Sequence, residues 1–290
     1  MKWFDYAVPQ SLAETTHLLS THPRARPLAG GTDLLVQLRS GAKVTGLVVD
    51  VKYVPELNDL SYAPTRGLTL GAAVPCCRIR SDQAVRQAYP ALGEVASLLG
   101  GTQIQNRASI GGNLCNAAPS ADSAPLLIVL RATCRLAGPV GTREIPVEDF
   151  CTGPGQSALQ SGELLVSFHL PPPPSHFGAC YLRFTPRNEM DIAVAGAGAG
   201  VELENGTFRS ARIALSAVAP TPLFVREAGN WLAGKPANAE SINTAAEIAK
   251  AAAKPITDMR GTAEYRRHLC AVLTRRALEA AVRRAKEARA

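Results

Sequence analysis

The sequence predicts an α+β chain of three units, and three observations carry that prediction. Two adjacent-glycine loops, Gly30-Gly31 and Gly111-Gly112, each lead toward an apolar helical pattern. Four consecutive prolines, Pro171 to Pro174, force an extended polyproline segment that cannot join a sheet centrally. Beyond them, strand-forming stretches meet at Asn205-Gly206, a strong hairpin signal, and helical stretches come next. The expected units are residues 1–55, 56–177 and 178–290, two α/β subdomains followed by an antiparallel sheet with helices.

In the first unit, residues 3–6 read as a short strand. Ser11 is the expected cap of a helix bearing Leu12, Leu18 and Leu19, with Glu14 as its capping-box partner. The approach Pro27-Leu28-Ala29 leads into Gly30-Gly31, and Thr32-Asp33 opens a helix with Leu34, Leu35 and Leu38 on one side. Thr32 is the expected N-cap. That helix ends near Gly41, and residues 46–51 form a buried strand after it. Helix alternating with strand implies a small parallel or mixed sheet, with the glycine loop at a strand's carboxyl end, where such sheets bind ligands. A strand, a tight glycine turn and a helix N-terminus direct free N–H groups at one spot and make an anion site. The loop is neither the spaced-glycine dinucleotide fingerprint nor a Walker loop, because no Gly-Lys-Ser/Thr comes after it. A plain turn capped by Thr32 is the alternative.

In the second unit, strands are expected at 68–74, 133–137, 143–146 and 163–170, helices at 79–88 and 92–99, and a turn at Glu148-Asp149-Phe150. Its centre is the run from Arg107 to Pro125, which reads as an irregular loop held against something. The apolar block Leu126 to Leu130, directly after it, reads as a buried helix. Gly111 and Gly112 let a ligand or another backbone come close. Asn113, Asn116 and Asp122 supply donors and acceptors there. A glycine turn before a core helix is the plainer reading of this run taken alone.

The third unit has expected strands at 179–184, 192–203 and 207–218 and helices at 225–232, 240–253 and 262–289. Gly196-Ala-Gly-Ala-Gly200 imitates a nucleotide loop, but the chain continues as a strand into a hairpin rather than opening a helix. It reads as a sheet packed closely through small residues.

Hydrophobic residues make up 46% of the 290, ordinary for a globular chain, and no apolar run approaches the ~20 residues of a membrane span. Met1 to Tyr6 lacks a basic region followed by an apolar one, so no secretory leader is expected. The seven cysteines are scattered apart from Cys76-Cys77, with no Cys-x-x-Cys, which speaks against a disulfide framework, a zinc site or an iron–sulfur site and fits a reducing cytoplasm. Net charge is +7, but much of the excess lies in Arg266, Arg267, Arg275, Arg276, Arg283, Arg284, Lys286 and Arg289, interleaved with acids on a helical pattern. That pattern predicts a solvated or subunit-facing helix, and with aromatics at 5% no nucleic-acid partner is expected.

The two glycine loops, in this order and about 80 residues apart, resemble the FAD-binding medium subunits of molybdenum hydroxylases, the xanthine dehydrogenase and carbon monoxide dehydrogenase flavoprotein family. The motifs that carry the resemblance are Ala29-Gly-Gly-Thr-Asp33 and Ser109-Ile-Gly-Gly-Asn113. Arg187-Asn-Glu-Met-Asp-Ile-Ala193, residues 211–222 and Asp258-Met-Arg-Gly-Thr-Ala-Glu-Tyr-Arg-Arg-His268 extend it over the C-terminal unit.

The resemblance implies a vanillyl-alcohol-oxidase-type FAD-binding fold, followed by a C-terminal domain of the carbon monoxide dehydrogenase flavoprotein type. It implies FAD as the only cofactor on this chain. Leu28, Ala29, Gly30, Gly31, Thr32, Asp33 and Leu34 would form one wall of the cofactor site, and Ser109, Ile110, Gly111, Gly112 and Asn113 the other, with the pyrophosphate between. Leu99, Asp122, Leu165 and Arg183 fall on flavin-contact positions. Alternative roles are a helix cap for Asp122 and plain core for Leu99 and Leu165. A cation at Arg183 would favour the anionic reduced flavin. Asp33 is expected to turn its carboxylate toward the first helical turn, away from the phosphates. Ile192 stands where some relatives carry a tyrosine against the flavin, and the cysteine-rich insertion of other relatives is missing.

The implied function is electron relay in a heterotrimer, often doubled into a dimer of heterotrimers. A large molybdopterin subunit hydroxylates the substrate, and a small subunit with [2Fe–2S] clusters passes electrons to FAD here and on to an external acceptor. No catalytic side chain on this chain is needed. A stand-alone flavin oxidase of the vanillyl-alcohol type and an FAD-free scaffold subunit are the other two readings.

Overall fold

The computed structural model describes residues 1–188 and 190–288. Glu189 in the motif at 187–193 and Arg289 at the end of the basic run lie outside the described residues.

The N-terminal unit runs β1 (Asp5–Ala7), α1 (Leu12–Thr21), β2 (Ala25–Leu28), α2 (Leu34–Ser40) and β3 (Leu47–Asp50). Its three strands are parallel, in the order β1-β3-β2. Ser11 Oγ accepts the Glu14 N–H at 3.2 Å, while the Glu14 carboxylate accepts the Gln10 N–H at 2.9 Å, so the capping box closes one residue early. Gly41 ends α2 in the left-handed conformation at φ +79°. β3 is buried along its whole length, so the glycine loop leaves β2 at the edge of a sheet fixed by its central strand.

The middle unit contains β4 (Leu60–Ala63), β5 (Gly67–Gly71), the short helices α3 (Cys76–Ser81), α4 (Gln83–Ala88), α5 (Pro90–Ala96), α6 (Thr102–Gln105), α7 (Ile110–Cys115) and α8 (Ser123–Val129), then β6 (Thr133–Gly138), β7 (Gly141–Pro146), β8 (Cys151–Gly153), β9 (Gln156–Ser157) and β10 (Leu164–Leu170). Five strands form an antiparallel sheet in the order β4-β5-β10-β6-β7. The helix expected at 79–88 is two helices, because the Asp82 carboxylate takes the Val85 N–H at 2.9 Å and starts a new one. The run from Arg107 to Pro125 is not wholly irregular. Ser109 caps α7 by accepting the Gly112 N–H at 3.0 Å, and Ile110 and Leu114 sink into the core.

The C-terminal unit has β11 (Phe177–Phe184), β12 (Ala195–Glu204), β13 (Thr207–Ser216) and β14 (Leu223–Phe224) in sequential antiparallel order, then α9 (Arg226–Leu232), α10 (Ala239–Ala252) and α11 (Ala263–Glu287). Asn205 and Gly206 turn the β12–β13 hairpin with φ of +50° and +79°, as a two-residue turn of this kind requires. Gly196 to Gly200 lie within β12. A Cβ on Gly198 or Gly200 would stand 3.0 Å from the Pro125 carbonyl oxygen or 2.9 Å from that of Val129, so α8 packs on bare strand backbone. Ala179, Tyr181 and Ala214 accordingly belong to the same apolar core as the middle unit.

The basic helix is only partly the solvated or subunit-facing surface that its charge pattern predicts. Arg267, Arg275, Arg276, Arg283 and Lys286 are exposed. Arg266 is buried and donates to the Val194 carbonyl and to Asp258, each at 2.7 Å. Arg284 reaches the Ala179 carbonyl at 2.7 Å and Glu94 at 2.6 Å. These two arginines satisfy backbone carbonyls that a sheet edge and a loop would otherwise leave open. Among the described residues, no helix is long and apolar enough to cross a membrane.

Arg143 grips Glu163 through two parallel bonds of 2.8 and 2.7 Å, which fastens the approach to β10 onto β7. The hydrogen bond from Arg143 holds the Glu163 carboxyl below its ordinary value of 4.5; the Gln160 N–H and the Arg143 charge act the same way, against burial. A depressed folded-state pKa contributes stability above the unfolded value, and that contribution fades as pH falls through the folded value. Glu163→Gln should therefore lower stability near neutral pH, and the gap from the unsubstituted chain should close as pH falls through the carboxylate range. Urea denaturation of both proteins across that range checks it.

Candidate functional site

The first glycine loop and the approach to the second meet backbone to backbone. A Cβ on Gly30 would stand 1.9 Å from the carbonyl oxygen of Arg107 and 2.8 Å from the nitrogen of Ala108. One helical turn on, Gln37 Nε2 donates to Asn116 Oδ1 at 2.8 Å and ties α2 to the end of α7. The two loops, separated in sequence, thus frame one place between the N-terminal and middle units.

Within each glycine pair the two members do different work. Gly30 admits the Arg107 backbone; Gly31, at φ +77°, makes a turn that only glycine adopts easily. Gly111 is buried, and its Cβ would stand 2.4 Å from the Ala72 carbonyl oxygen. Gly112 is exposed, with only Ser109 Oγ, at 3.1 Å, near the position of a Cβ. The N–H groups of Gly30 to Leu34 donate to no protein acceptor among the described residues. Unpaired donors on a loop packed against the Arg107–Ala108 backbone suit an anionic, phosphate-bearing ligand, so the residues present fit FAD.

Two expectations for the first loop do not hold. The residue at the N-cap of α2 is Asp33, not Thr32, and its carboxylate makes no bond to the first turn. Asp33 takes helical dihedrals (φ −97°, ψ −48°), a geometry that points the side chain away from the N–H groups a cap would accept. On α7, where the sequence suggests a loop, Asn113 Oδ1 accepts the Ser123 hydroxyl at 2.7 Å, so this side chain is anchored to the start of α8.

Asp122 stands at the N-cap of α8 yet makes no cap bond. Its carboxylate is instead held from across the boundary with the C-terminal unit. Tyr181 donates to Oδ1 at 2.7 Å, and Arg183 pairs with Oδ2. Both side chains of the ion pair are 10% exposed. Burial pushes the Asp122 carboxyl above its ordinary range; the Arg183 charge and the bonds from Tyr181 and Arg183 pull it back. Arg183 thus carries its positive charge directly against the Asp122 carboxylate. Leu99 and Leu165 both lie in the apolar core shared by the middle unit and β11. The segment that bears Ile192 lies near Leu99, since Met190 Sδ accepts the Gly101 N–H at 2.9 Å. Two surface cavities of about 340 and 600 Å³ include no residue of either glycine loop. Tyr181, Ser216 and Gln37 carry no signal in sequence that would single them out.

A family model for the FAD binding domain in molybdopterin dehydrogenase matches residues 2–173. The chain belongs to this FAD-binding family. A second model, for the CO dehydrogenase flavoprotein C-terminal domain, matches residues 180–281. The chain is similar to the xanthine dehydrogenase FAD-binding subunit of Escherichia coli O157:H7, 35% identical over 283 residues, which are 96% of this chain and 97% of that protein. It is 33% identical over 284 residues to the carbon monoxide dehydrogenase medium chain of Afipia carboxidovorans, covering 98% of each. A solved chain of reconstituted CO dehydrogenase from Oligotropha carboxidovorans superposes with a TM-score of 0.93 at 32% identity, covering 98% of this chain and 99% of that one. The protein is an FAD-binding subunit of the xanthine and CO dehydrogenase type of molybdenum hydroxylase, and the fold expected from the resemblance is the fold found.

The divided roles within each pair of this FAD-binding subunit can be separated by substitution. Gly30→Ala and Gly111→Ala should each destabilise the chain by about 1–3 kcal/mol, because a backbone has to move to admit the methyl group. Gly112→Ala should leave the urea midpoint nearly unchanged and lower the FAD retained on purification. Asp122→Asn leaves a buried guanidinium unbalanced and should cost about 3–5 kcal/mol; denaturation of the four variants side by side checks the ranking.

Proposed function

We propose that this chain relays electrons through FAD held between its two glycine loops. The observation that carries the reading is the backbone contact of Gly30 with Arg107, beside N–H groups without a protein acceptor. Residues 28–34 on one side and 109–113 on the other would hold the pyrophosphate, chiefly through backbone N–H groups. Leu99 and Leu165 would present apolar surface to the isoalloxazine, and Asp122 with Arg183 a charged pair. When bound, FAD supplies the redox chemistry by which such a subunit takes electrons from [2Fe–2S] clusters on a partner and passes them to an external acceptor. The protein's own part is to bind, orient and tune, and no side chain is assigned a catalytic step.

The relatives' names span xanthine and carbon monoxide, while the likeness covers nearly the whole chain in each case. That supports a task shared by all of them, the handling of electrons, with the substrate left to a partner. The partners in this reading are a large molybdopterin subunit and a small [2Fe–2S] subunit, joined as a heterotrimer and doubled into a dimer of heterotrimers in the cytoplasm. The division of the chain into residues 1–55, 56–177 and 178–290 belongs to the same reading.

An absorption spectrum tests it, taken on the chain purified alone and on the chain co-expressed with its genomic neighbours. Flavin bands in both samples, with cluster bands only in the second, are expected. A folded chain that stays colourless in both, even after FAD is added, would overturn the assignment.

A further inference from the structure

The network behind Asp122 extends beyond the residues that the family resemblance places near the flavin. Tyr181 and Arg183 sit two apart on β11, so their side chains leave the same face of the sheet. Tyr181 leans over β12 at Gly196. A Cβ there would stand 2.3 Å from the tyrosine oxygen and 2.4 Å from Ser216 Oγ. Gly196 pairs in register with Arg183 on one side and Ser216 on the other, so a bare position in the central strand opens the space where three polar groups meet. Tyr181 Oη and Ser216 Oγ are 3.1 Å apart, and both residues are buried.

The direction of this chain of bonds is fixed by the proton count. A carboxylate only accepts, so the single tyrosine proton is committed to Asp122. The serine hydroxyl must then donate to the tyrosine oxygen. Burial drives the Tyr181 hydroxyl well above its ordinary 10.0, with the Asp122 charge adding to the effect, so it stays a donor. Each bond polarises the next. Asp122 gives up a helix cap to take part.

We infer that Tyr181, backed by Ser216, is a positioning residue for the flavin, acting through Asp122. This rests on the FAD reading above. Tyr181 fixes the carboxylate so that Oδ2 stays on Arg183 and the pair presents no net charge to the cofactor. Loosening the carboxylate uncovers the guanidinium, and a cation beside the ring favours the reduced, more negative state.

The test uses the assembled complex loaded with FAD, and the readouts are FAD content and the flavin midpoint potential. Tyr181→Phe removes one hydroxyl and keeps the ring, and it should retain FAD while shifting the potential to more positive values. Ser216→Ala should shift it the same way by less, and it keeps the test alive if the tyrosine variant does not fold. Potentials unchanged or lowered in both variants, with FAD bound, would overturn the inference and leave Tyr181 a buried structural residue. Absence of FAD from the unsubstituted complex would instead overturn the cofactor reading on which the inference stands.

Discussion

The arrangement of this chain depends on one close approach, the backbone of Gly30 against the carbonyl of Arg107. Any side chain at that position would push the parallel βαβαβ unit off the middle unit, since even a methyl carbon would stand 1.9 Å from that oxygen. With the approach made, the loop after β2 lies against the residues that lead into α7, and Gln37 can reach Asn116. The candidate site is therefore not a property of either unit. It exists only where two units touch, and that explains why each loop looks like an ordinary turn by itself. The same device recurs at the other boundary, where Gly198 and Gly200 strip β12 so that α8 can lie on the sheet. Both junctions are built by deleting side chains, and the cost is the conformational freedom that glycine loses on folding.

The second junction also brings the charges together. α8 arrives at the bare strand with Asp122 at its first turn, and β11 supplies Tyr181 and Arg183 to meet it. A carboxylate this deep needs both donors, because burial alone would drive it toward the neutral form. The packing of glycine and the placing of charge are thus one event. Without the space over Gly196, Tyr181 would have nowhere to lie.

Much of the fold was legible from residue types because the features are local. The hairpin at Asn205-Gly206, the cap at Ser11 and the end of α2 at Gly41 arise from backbone requirements a sequence displays directly. The glycine run at 196–200 was separable from a nucleotide loop because a strand and a hairpin, rather than a helix, continue from it. The features that escaped depend on distance or on small local contests. β4 is an edge strand with no fully buried residue, so its pattern is weak. Asp82 broke a helix by capping a new one, and Asp33 displaced Thr32 at the start of α2. Tyr181 lies 59 positions from Asp122, and nothing near either residue marks the pairing. Arg266 and Arg267 look alike in sequence, yet one is buried on carbonyls and the other faces solvent.

The ion pair at Asp122 and Arg183 has a weak claim to be there for stability. Replacing a buried pair by well-packed apolar residues is commonly neutral or favourable, whereas removing one partner is costly. Stability alone would be served as well by two leucines. A pair of this kind does offer something leucines do not, a fixed dipole with no net charge, held by groups that cannot reorient freely. Beside a cofactor whose charge changes on reduction, such a dipole biases the equilibrium without attracting a counter-ion. In the proposed flavin site its effect would depend on how firmly the carboxylate is held, and Tyr181, with Ser216 behind it, supplies the donor that holds it.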